Sequence, residues 1–171
     1  DNEIDAVGIP ACPPEAVNAD LLLLKRHTFR WREPASGGVV LMTENVYEGC
    51  RCDERRPQDF NCRRGVDMTW EYVVTNLSYD PIPGVTNGFS GFQLLFPGPV
   101  PELCNQQSPT VGGPWIKNAF SGAFPPFGAE WDAPHPGAGI MPGETGKFSF
   151  CTAERFDVVV EAEGVGFGPA G

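Results

Sequence analysis

The sequence predicts an all-β protein, a disulfide-stapled β-sandwich of about seven to nine strands with long Gly/Pro-rich loops. Short runs of alternating apolar and polar residues recur along the chain, and turn-forming clusters separate them. The 171 residues include 21 Gly and 18 Pro, which leave few windows long enough for a helix after Val66. Because Pro blocks helix interiors, we expect no long helix. The 12 Phe and four Trp supply bulky side chains for a core.

The first two alternating runs predict an antiparallel hairpin. In the run 21–32, Phe29 and Trp31 share one side with Lys25 and His27, and the arginines lie on the other side. A Ser-Gly-Gly turn cluster follows at 36–38, and alternation resumes at 39–47. Two alternating runs joined by so short a Gly-rich turn are typical of a β-hairpin.

Further alternating runs predict strands at residues 70–76, 89–96, 147–151 and 155–163. In the first of them Trp70, Tyr72 and Val74 share one face. The pair Asn87-Gly88 precedes the second run and suits a turn with positive φ at the glycine.

Composition divides the chain into an N-terminal arm (1–18), a β-sandwich domain (19–163) and a Gly-rich C-terminal tail (164–171). The arm contains Pro10, Pro13 and Pro14 and shows no long alternation. A chain that starts at Asp1 without a basic and then apolar leader fits the mature form of an exported protein. No apolar run reaches the length of a membrane-spanning helix, so no membrane insertion is predicted.

Six cysteines beside only two histidines indicate structural disulfides in an oxidising compartment, and hence a secreted, extracellular or cell-surface protein. The disulfide candidates are Cys12, Cys50, Cys52, Cys62, Cys104 and Cys151. Cys50 and Cys52 are separated by a single residue and do not easily pair with each other, so one should bridge Cys62 and the other a distant partner such as Cys12. Cys104 would then pair with Cys151. A zinc site at residues 50–62 is the alternative, although the spacing lacks a Cys-x-x-Cys knuckle and no histidine lies nearby.

The charge distribution points to protein partners. The formal net charge of −10 disfavours nucleic acid, because phosphate binding requires Lys and Arg. Nine of the 12 Lys and Arg residues lie in residues 1–64, whereas residues 65–171 are strongly acidic. Candidate assembly residues lie in the Cys-rich loop: Arg51, Arg55, Arg56, Arg63 and Arg64. A second basic cluster extends from Lys25 to Arg32. The basic residues of both clusters are either solvated charges or a surface that meets an acidic face of another copy.

Catalytic patterns are poor, and the sequence predicts that the protein is not an enzyme. Ser90 lies in a Gly-Phe-Ser-Gly stretch, but Phe follows where a nucleophile elbow requires Gly. His27 and His135 are the two candidate bases, in a strand pattern and a proline-flanked loop. Glu130 and Asp132 flank a tryptophan, yet a spacing of two residues does not define the carboxyl separation that glycoside hydrolysis needs. No catalytic residue is therefore assigned.

No cofactor or metal site is assigned, with calcium kept as an alternative. Asp1, Glu3 and Asp5 alternate at the N-terminus, and Glu15 and Asp20 follow. Carboxylate oxygens of this kind are ligands for calcium, but the chain contains no EF-hand loop.

Trp115 and Trp131 are candidate ligand-binding residues. They belong to a proline-rich stretch that also contains three phenylalanines, at positions 120, 124 and 127. Exposed rings in such a row would stack on sugar rings, which gives a monomeric carbohydrate-binding module with polysaccharide as its partner. The alternative interpretation is that these rings pack the loop onto the sheets.

One modification signal is present. Asn76-Leu77-Ser78 is a glycosylation sequon at the end of a predicted strand, where a sugar would fit.

The stretch 66–152 resembles bacterial exported β-sandwich surface and matrix proteins of the PEP-CTERM type. The resemblance is carried by the run from Trp70 to Ser78, by the run 89–96, and by Gly139-Ile-Met-Pro-Gly143 followed by Lys-Phe-Ser-Phe150. It implies an extracellular matrix or surface role and supplies no catalytic residues.

These observations favour a secreted structural protein, a subunit of an extracellular fibre or surface layer whose partners are other copies of itself. The arm would complete the sheet of a neighbouring copy by strand addition, and complementary charge would set the register.

Overall fold

The computed structural model describes residues 22–34, 36–48, 68–80, 88–96, 103–120, 127–135, 137–152 and 161–165. These ranges form nine strands: β1 (Leu22–Arg32), β2 (Val39–Glu48), β3 (Met68–Asn76), β4 (Gly91–Phe96), β5 (Leu103–Gln107), β6 (Ile116–Phe120), β7 (Phe127–Asp132), β8 (Thr145–Thr152) and β9 (Glu161–Val165). They contain no helix, and hence none that is long and apolar enough to cross a membrane. The prediction of an all-β protein is confirmed.

The strands form two antiparallel sheets. One has five strands in the order β1-β2-β3-β8-β5, and the other has four in the order β6-β7-β4-β9. The predicted hairpin is confirmed, since β1 pairs with β2 from Arg32 opposite Val39 to Leu22 opposite Glu48. A register shift between Leu23 and Lys25 marks an irregularity near the start of β1.

The core lies between the two sheets and is rich in aromatic rings. Strand alternation turns Tyr72 of β3 and Phe148 of β8 toward Phe92 of β4, with ring centroids 5.3 and 4.9 Å from that of Phe92. Trp131 of β7 contacts Phe148 edge-on at 5.4 Å. Large rings bury much apolar area per residue, which suits a sandwich whose four-stranded sheet has strands of only five or six residues.

Three strands lie where the sequence predicted loops. β5, β6 and β7 occupy the Gly/Pro-rich middle of the chain. Gly128 explains part of the difference. It lies within β7 opposite Leu95, and the backbone of β4 comes so close that a Cβ at this position would overlap the carbonyl oxygen of Leu94. A glycine inside a strand often marks such a close backbone approach, and sequence alone does not separate it from a turn glycine.

Gly88 behaves as predicted. Its φ is +55°, in the left-handed region that favours glycine. The next residue, Phe89, lies beside Ile140, and the two residues exchange backbone hydrogen bonds of 2.9 and 2.8 Å. This bridge fixes the loop before β8 to the start of β4.

Several predictions fall outside the described residues. They concern the arm at 1–18, the Cys-rich loop at 49–65 and most of the run 155–163. At the other end, β9 continues to Val165, two residues into the segment predicted as a tail.

Candidate functional site

One side of the sandwich is closed by hydrogen bonds between the two sheets. The Nζ of Lys117 donates to the carbonyl of Gln106 at 2.8 Å, and the Gln106 side chain donates to the carbonyl of Glu130 at 3.0 Å. The Nε1 of Trp131 donates to the carbonyl of Gln107 at 2.9 Å. These contacts join β5 of the larger sheet to β6 and β7 of the smaller one.

The opposite side ends in the edge strand β1. Five strands face four, and within the described residues β1 pairs only with β2. Its residues from Leu22 to Thr28 are exposed on both faces, and Leu22 is 62% exposed. On its inner face only Phe29 and Trp31 pack against the core. We define the unpaired side of β1 as the open edge, and it is the candidate functional site.

The open edge is strongly cationic. β1 contains Lys25, Arg26, Arg30 and Arg32 and no carboxylate. Lys25 pairs with Glu44 at 3.2 Å, and the Nε of Arg26 donates to Asn45 at 2.8 Å. Arg30 and Arg32 are exposed and form no ion pair within the described part of the chain.

A polar ladder on the outer face of the five-stranded sheet holds β1 in place. The Asn45 side chain accepts a hydrogen bond from Arg26 and donates one to the Oε1 of Glu71 at 3.1 Å. The same Oε1 also accepts a hydrogen bond from the Tyr47 hydroxyl at 3.2 Å. Lys147 lies 4.0 Å from the other oxygen of Glu71. Glu71 is only 7% exposed, and a buried carboxylate is tolerated when such partners surround it. The ladder links β1, β2, β3 and β8, which gives the open edge a fixed geometry.

A second polar contact supports β1 from the inner face. The Tyr72 hydroxyl donates to Glu44 at 3.0 Å, and Glu44 also pairs with Lys25. Burial, followed by the charge of Glu44, raises the pKa of Tyr72 well above its usual range. The hydroxyl therefore stays protonated and remains a donor to Glu44.

The two tryptophans predicted as sugar-stacking residues are core residues, so their predicted exposure is wrong. Trp115 is 5% exposed and Trp131 is 0% exposed. Trp115 packs edge-on against Phe148 at 5.2 Å, and its Nε1 donates to the carbonyl of Val111 at 2.9 Å. Both rings are buried because they fill the space between the two sheets.

The weak catalytic patterns lie in separate settings. Ser90 is buried, whereas His27 lies on the exposed part of β1 with its ring 6.0 Å from that of Phe29, and His135 is exposed in a loop. Glu130 and Asp132 are half-buried on β7. Partial burial, followed by the charge of Glu130, raises the pKa of Asp132.

Asn76 is a structural residue, which contradicts the expectation that a sugar would fit there. The side chain is 0% exposed. Its Nδ2 donates to the carbonyls of Tyr79 at 2.8 Å and Ile140 at 2.7 Å, and its Oδ1 accepts from the Tyr79 amide at 2.7 Å. A glycan on Nδ2 would break these contacts in the folded protein.

Of the six cysteines, Cys104 and Cys151 lie on described strands. They are directly opposite each other in the pairing of β5 with β8, and Cys151 is 1% exposed. The other four cysteines and the candidate assembly arginines, Arg51, Arg55, Arg56, Arg63 and Arg64, lie outside the described residues. So do the acidic residues considered for calcium, and the described ranges contain no group of three or more His, Cys, Asp or Glu that would hold a metal ion.

The sequence predicted a contact with another copy as one of two alternatives for the basic residues of β1, but these residues were not among the named assembly candidates. The signal was present, since eleven consecutive strand residues carry four cations and no acid. What the sequence lacked was the sheet order that places this strand at an edge. In comparisons with known proteins, no family model, no curated sequence and no solved structure matches the chain.

Proposed function

We propose that this protein is a secreted structural protein, a subunit of an extracellular fibre or surface layer that grows by strand addition at the open edge. The observation that carries the proposal is the eleven-residue β1, exposed over most of its length on both faces. An edge strand presents a row of backbone N–H and C=O groups that a further strand can pair with.

The charge of β1 favours an open chain of subunits over a closed dimer. Two copies that paired β1 with β1 would bring like charges together, which is unfavourable. The irregularity after Leu23 and the cations are also features that protect natural edges from indiscriminate pairing. A different, acidic segment of the next copy fits this edge, and such a contact between unlike surfaces propagates into fibres when it does not close into a ring.

We also propose a disulfide between Cys104 and Cys151. Residues directly opposite each other in antiparallel strands have Cα atoms about 4.5 to 5.5 Å apart, within the range that a disulfide spans. The burial of Cys151 supports this pairing. Such a bond suits an extracellular subunit, because disulfides persist in oxidising compartments.

Hydrogen exchange on assembled and dispersed protein tests the proposal. The concentrated protein is imaged by electron microscopy, pelleted, and compared with the soluble fraction by mass spectrometry. We expect fibres or sheets, and we expect peptides from β1 to exchange at least tenfold more slowly in the pellet. Peptides from β3, a central strand paired on both sides, are the control and should exchange equally slowly in both fractions.

Two results would contradict the proposal. Monodisperse small particles at high concentration would show that the protein does not assemble. Polymers in which β1 exchanges as fast as in the soluble protein would show that they grow through another surface.

A further inference from the structure

We propose that residues 1–9 of one copy add as a strand to the open edge of β1 in a second copy, with their acidic side chains opposite the arginines of that strand. This inference rests on the proposed function and names the segment that occupies the edge. It is carried by charge, by the two faces of β1 and by the position of Pro10.

Charge selects this segment. Residues 1–18 contain four carboxylates and no Lys or Arg, and three of these acids are Asp1, Glu3 and Asp5. β1 has the opposite character, with four cations and no acid. Complementary charge steers partners together and disfavours the wrong pairing.

The two faces of β1 match the two sides of an extended segment 1–9. Arg26 and Thr28 bond to outer-face partners on β2, which places Arg30 and Arg32 on that outer face by alternation, whereas Phe29 and Trp31 pack toward the core. In an extended segment, residues 1, 3 and 5 share one side and residues 2, 4 and 6 the other.

One alignment satisfies both faces. With Ile4 opposite Phe29, the acidic side of the segment lies along the arginines of the outer face, and the apolar Ile4 lies beside the half-buried ring. The alignment holds in either strand direction. An antiparallel segment brings Asp1 opposite Arg32 and Glu3 opposite Arg30, and a parallel segment brings Asp1 opposite Arg26 and Asp5 opposite Arg30.

Proline sets the C-terminal end of the segment at residue 9. Pro10, Pro13 and Pro14 lack the backbone N–H that a sheet ladder uses, so pairing should end before Pro10. Nine extended residues span about 30 Å, slightly less than the eleven residues of β1. In the antiparallel direction residues 1–9 would lie opposite residues 24–32 of β1, and in the parallel direction they would extend two residues beyond Arg32.

A charge exchange between two variants tests the inference. The first variant carries Asp1→Lys, Glu3→Lys and Asp5→Lys, and the second carries Arg30→Glu and Arg32→Glu. Each variant alone would place like charges at the contact, so we expect the concentration needed for pelleting to rise at least tenfold. An equal mixture pairs a basic segment with an acidic edge and an acidic segment with a basic edge, so we expect alternating polymers at nearly the wild-type concentration.

The mixture also controls for folding, because two misfolded variants would not restore assembly together. If wild-type protein forms no polymer, the proposed function is wrong and this inference is wrong with it. If wild-type and both variants form polymers equally well, the proposed function stands and the inference is wrong.

Other occupants of the edge give different results. If a single chain carrying all five substitutions behaves as wild-type but the mixture does not assemble, the segment pairs with β1 of its own chain, which contradicts contact between copies. If the first variant assembles normally but Glu161→Lys with Glu163→Lys abolishes assembly, the acidic edge strand β9 occupies β1 instead.

Discussion

At the scale of single residues, Asn76 organises one end of the sandwich. Its side chain bonds to the loop that follows β3 and to Ile140 in the loop before β8. Its backbone also bonds to that second loop, since its carbonyl accepts from Gly143 at 2.7 Å. A short amide that donates to two carbonyls and accepts from one N–H at a strand end is typical of turn formation by Asn.

We expect Asn76→Ala to lower the free energy of unfolding by about 3 kcal/mol, because three buried hydrogen bonds are lost and their partners are left unsatisfied. Urea unfolding followed by tryptophan fluorescence measures this change. The neighbouring Leu77→Ala is the matched control, since Leu77 is exposed and should change stability by less than about 0.5 kcal/mol. Equal effects of the two substitutions would contradict a structural role for Asn76.

The sequence identified the position of Asn76 but not its role. The motif Asn76-Leu77-Ser78 is the same whether the asparagine faces solvent or the interior, and only tertiary contacts decide between these settings. Trp115 and Trp131 show the same limit, because an aromatic row in a proline-rich stretch suits both a sugar platform and a packed core. Their burial depends on strands from distant parts of the chain, which residue spacing does not specify.

At the scale of strands, clear alternation of apolar and polar residues was sufficient to predict the position of a strand. β1, β2, β3 and β8 were predicted to within two residues at each end. β2, β3 and β8 each have one face in the core, and β1 alternates clearly where Phe29 and Trp31 pack against it. β5, β6 and β7 were missed because they are short, and because Gly128 and the surrounding prolines suggested turns. Short strands depend on their neighbours more than on local propensity.

Strand β7 supports a prediction on pH dependence. An acid whose pKa is raised in the folded protein holds its proton more tightly when folded. The free energy of unfolding therefore falls as pH rises from the ordinary pKa of the acid through its raised pKa. Asp132 is such a group. We expect Asp132→Asn to be more stable than wild-type at pH 7, and we expect this difference to disappear near pH 3, below the ordinary pKa of about 3.9.

Thermal unfolding from pH 3 to pH 7 measures this difference. Ile116 lies opposite Asp132 on β6 and is exposed, so Ile116→Ala is the control and should show no pH-dependent change relative to wild-type. A difference between Asp132→Asn and wild-type that stays constant with pH would show that titration of Asp132 does not contribute.

At the scale of the whole molecule, the two sides of the sandwich differ. Hydrogen bonds between β5, β6 and β7 close one side, and the cationic β1 forms the other. The sequence predicted uneven charge and assembly residues in the Cys-rich loop, but it did not place the basic residues of β1 at an edge. That placement requires the strand order, in which β3 pairs with β8 across 68 intervening residues.

The closed side depends on β5, and the proposed disulfide between Cys104 and Cys151 holds this strand to β8. We expect Cys104→Ser with Cys151→Ser to lower the free energy of unfolding by about 2 to 4 kcal/mol, as for other disulfides that close long loops. Hydrogen exchange should also become faster in β5 and β6, because β5 anchors the contacts of Lys117 and Trp131. β2 and β3, which lie away from this side, are the internal control and should exchange as in wild-type.

A non-reducing digest of the wild-type protein should contain the peptides of Cys104 and Cys151 joined together, and finding either cysteine joined to another partner would contradict the assignment.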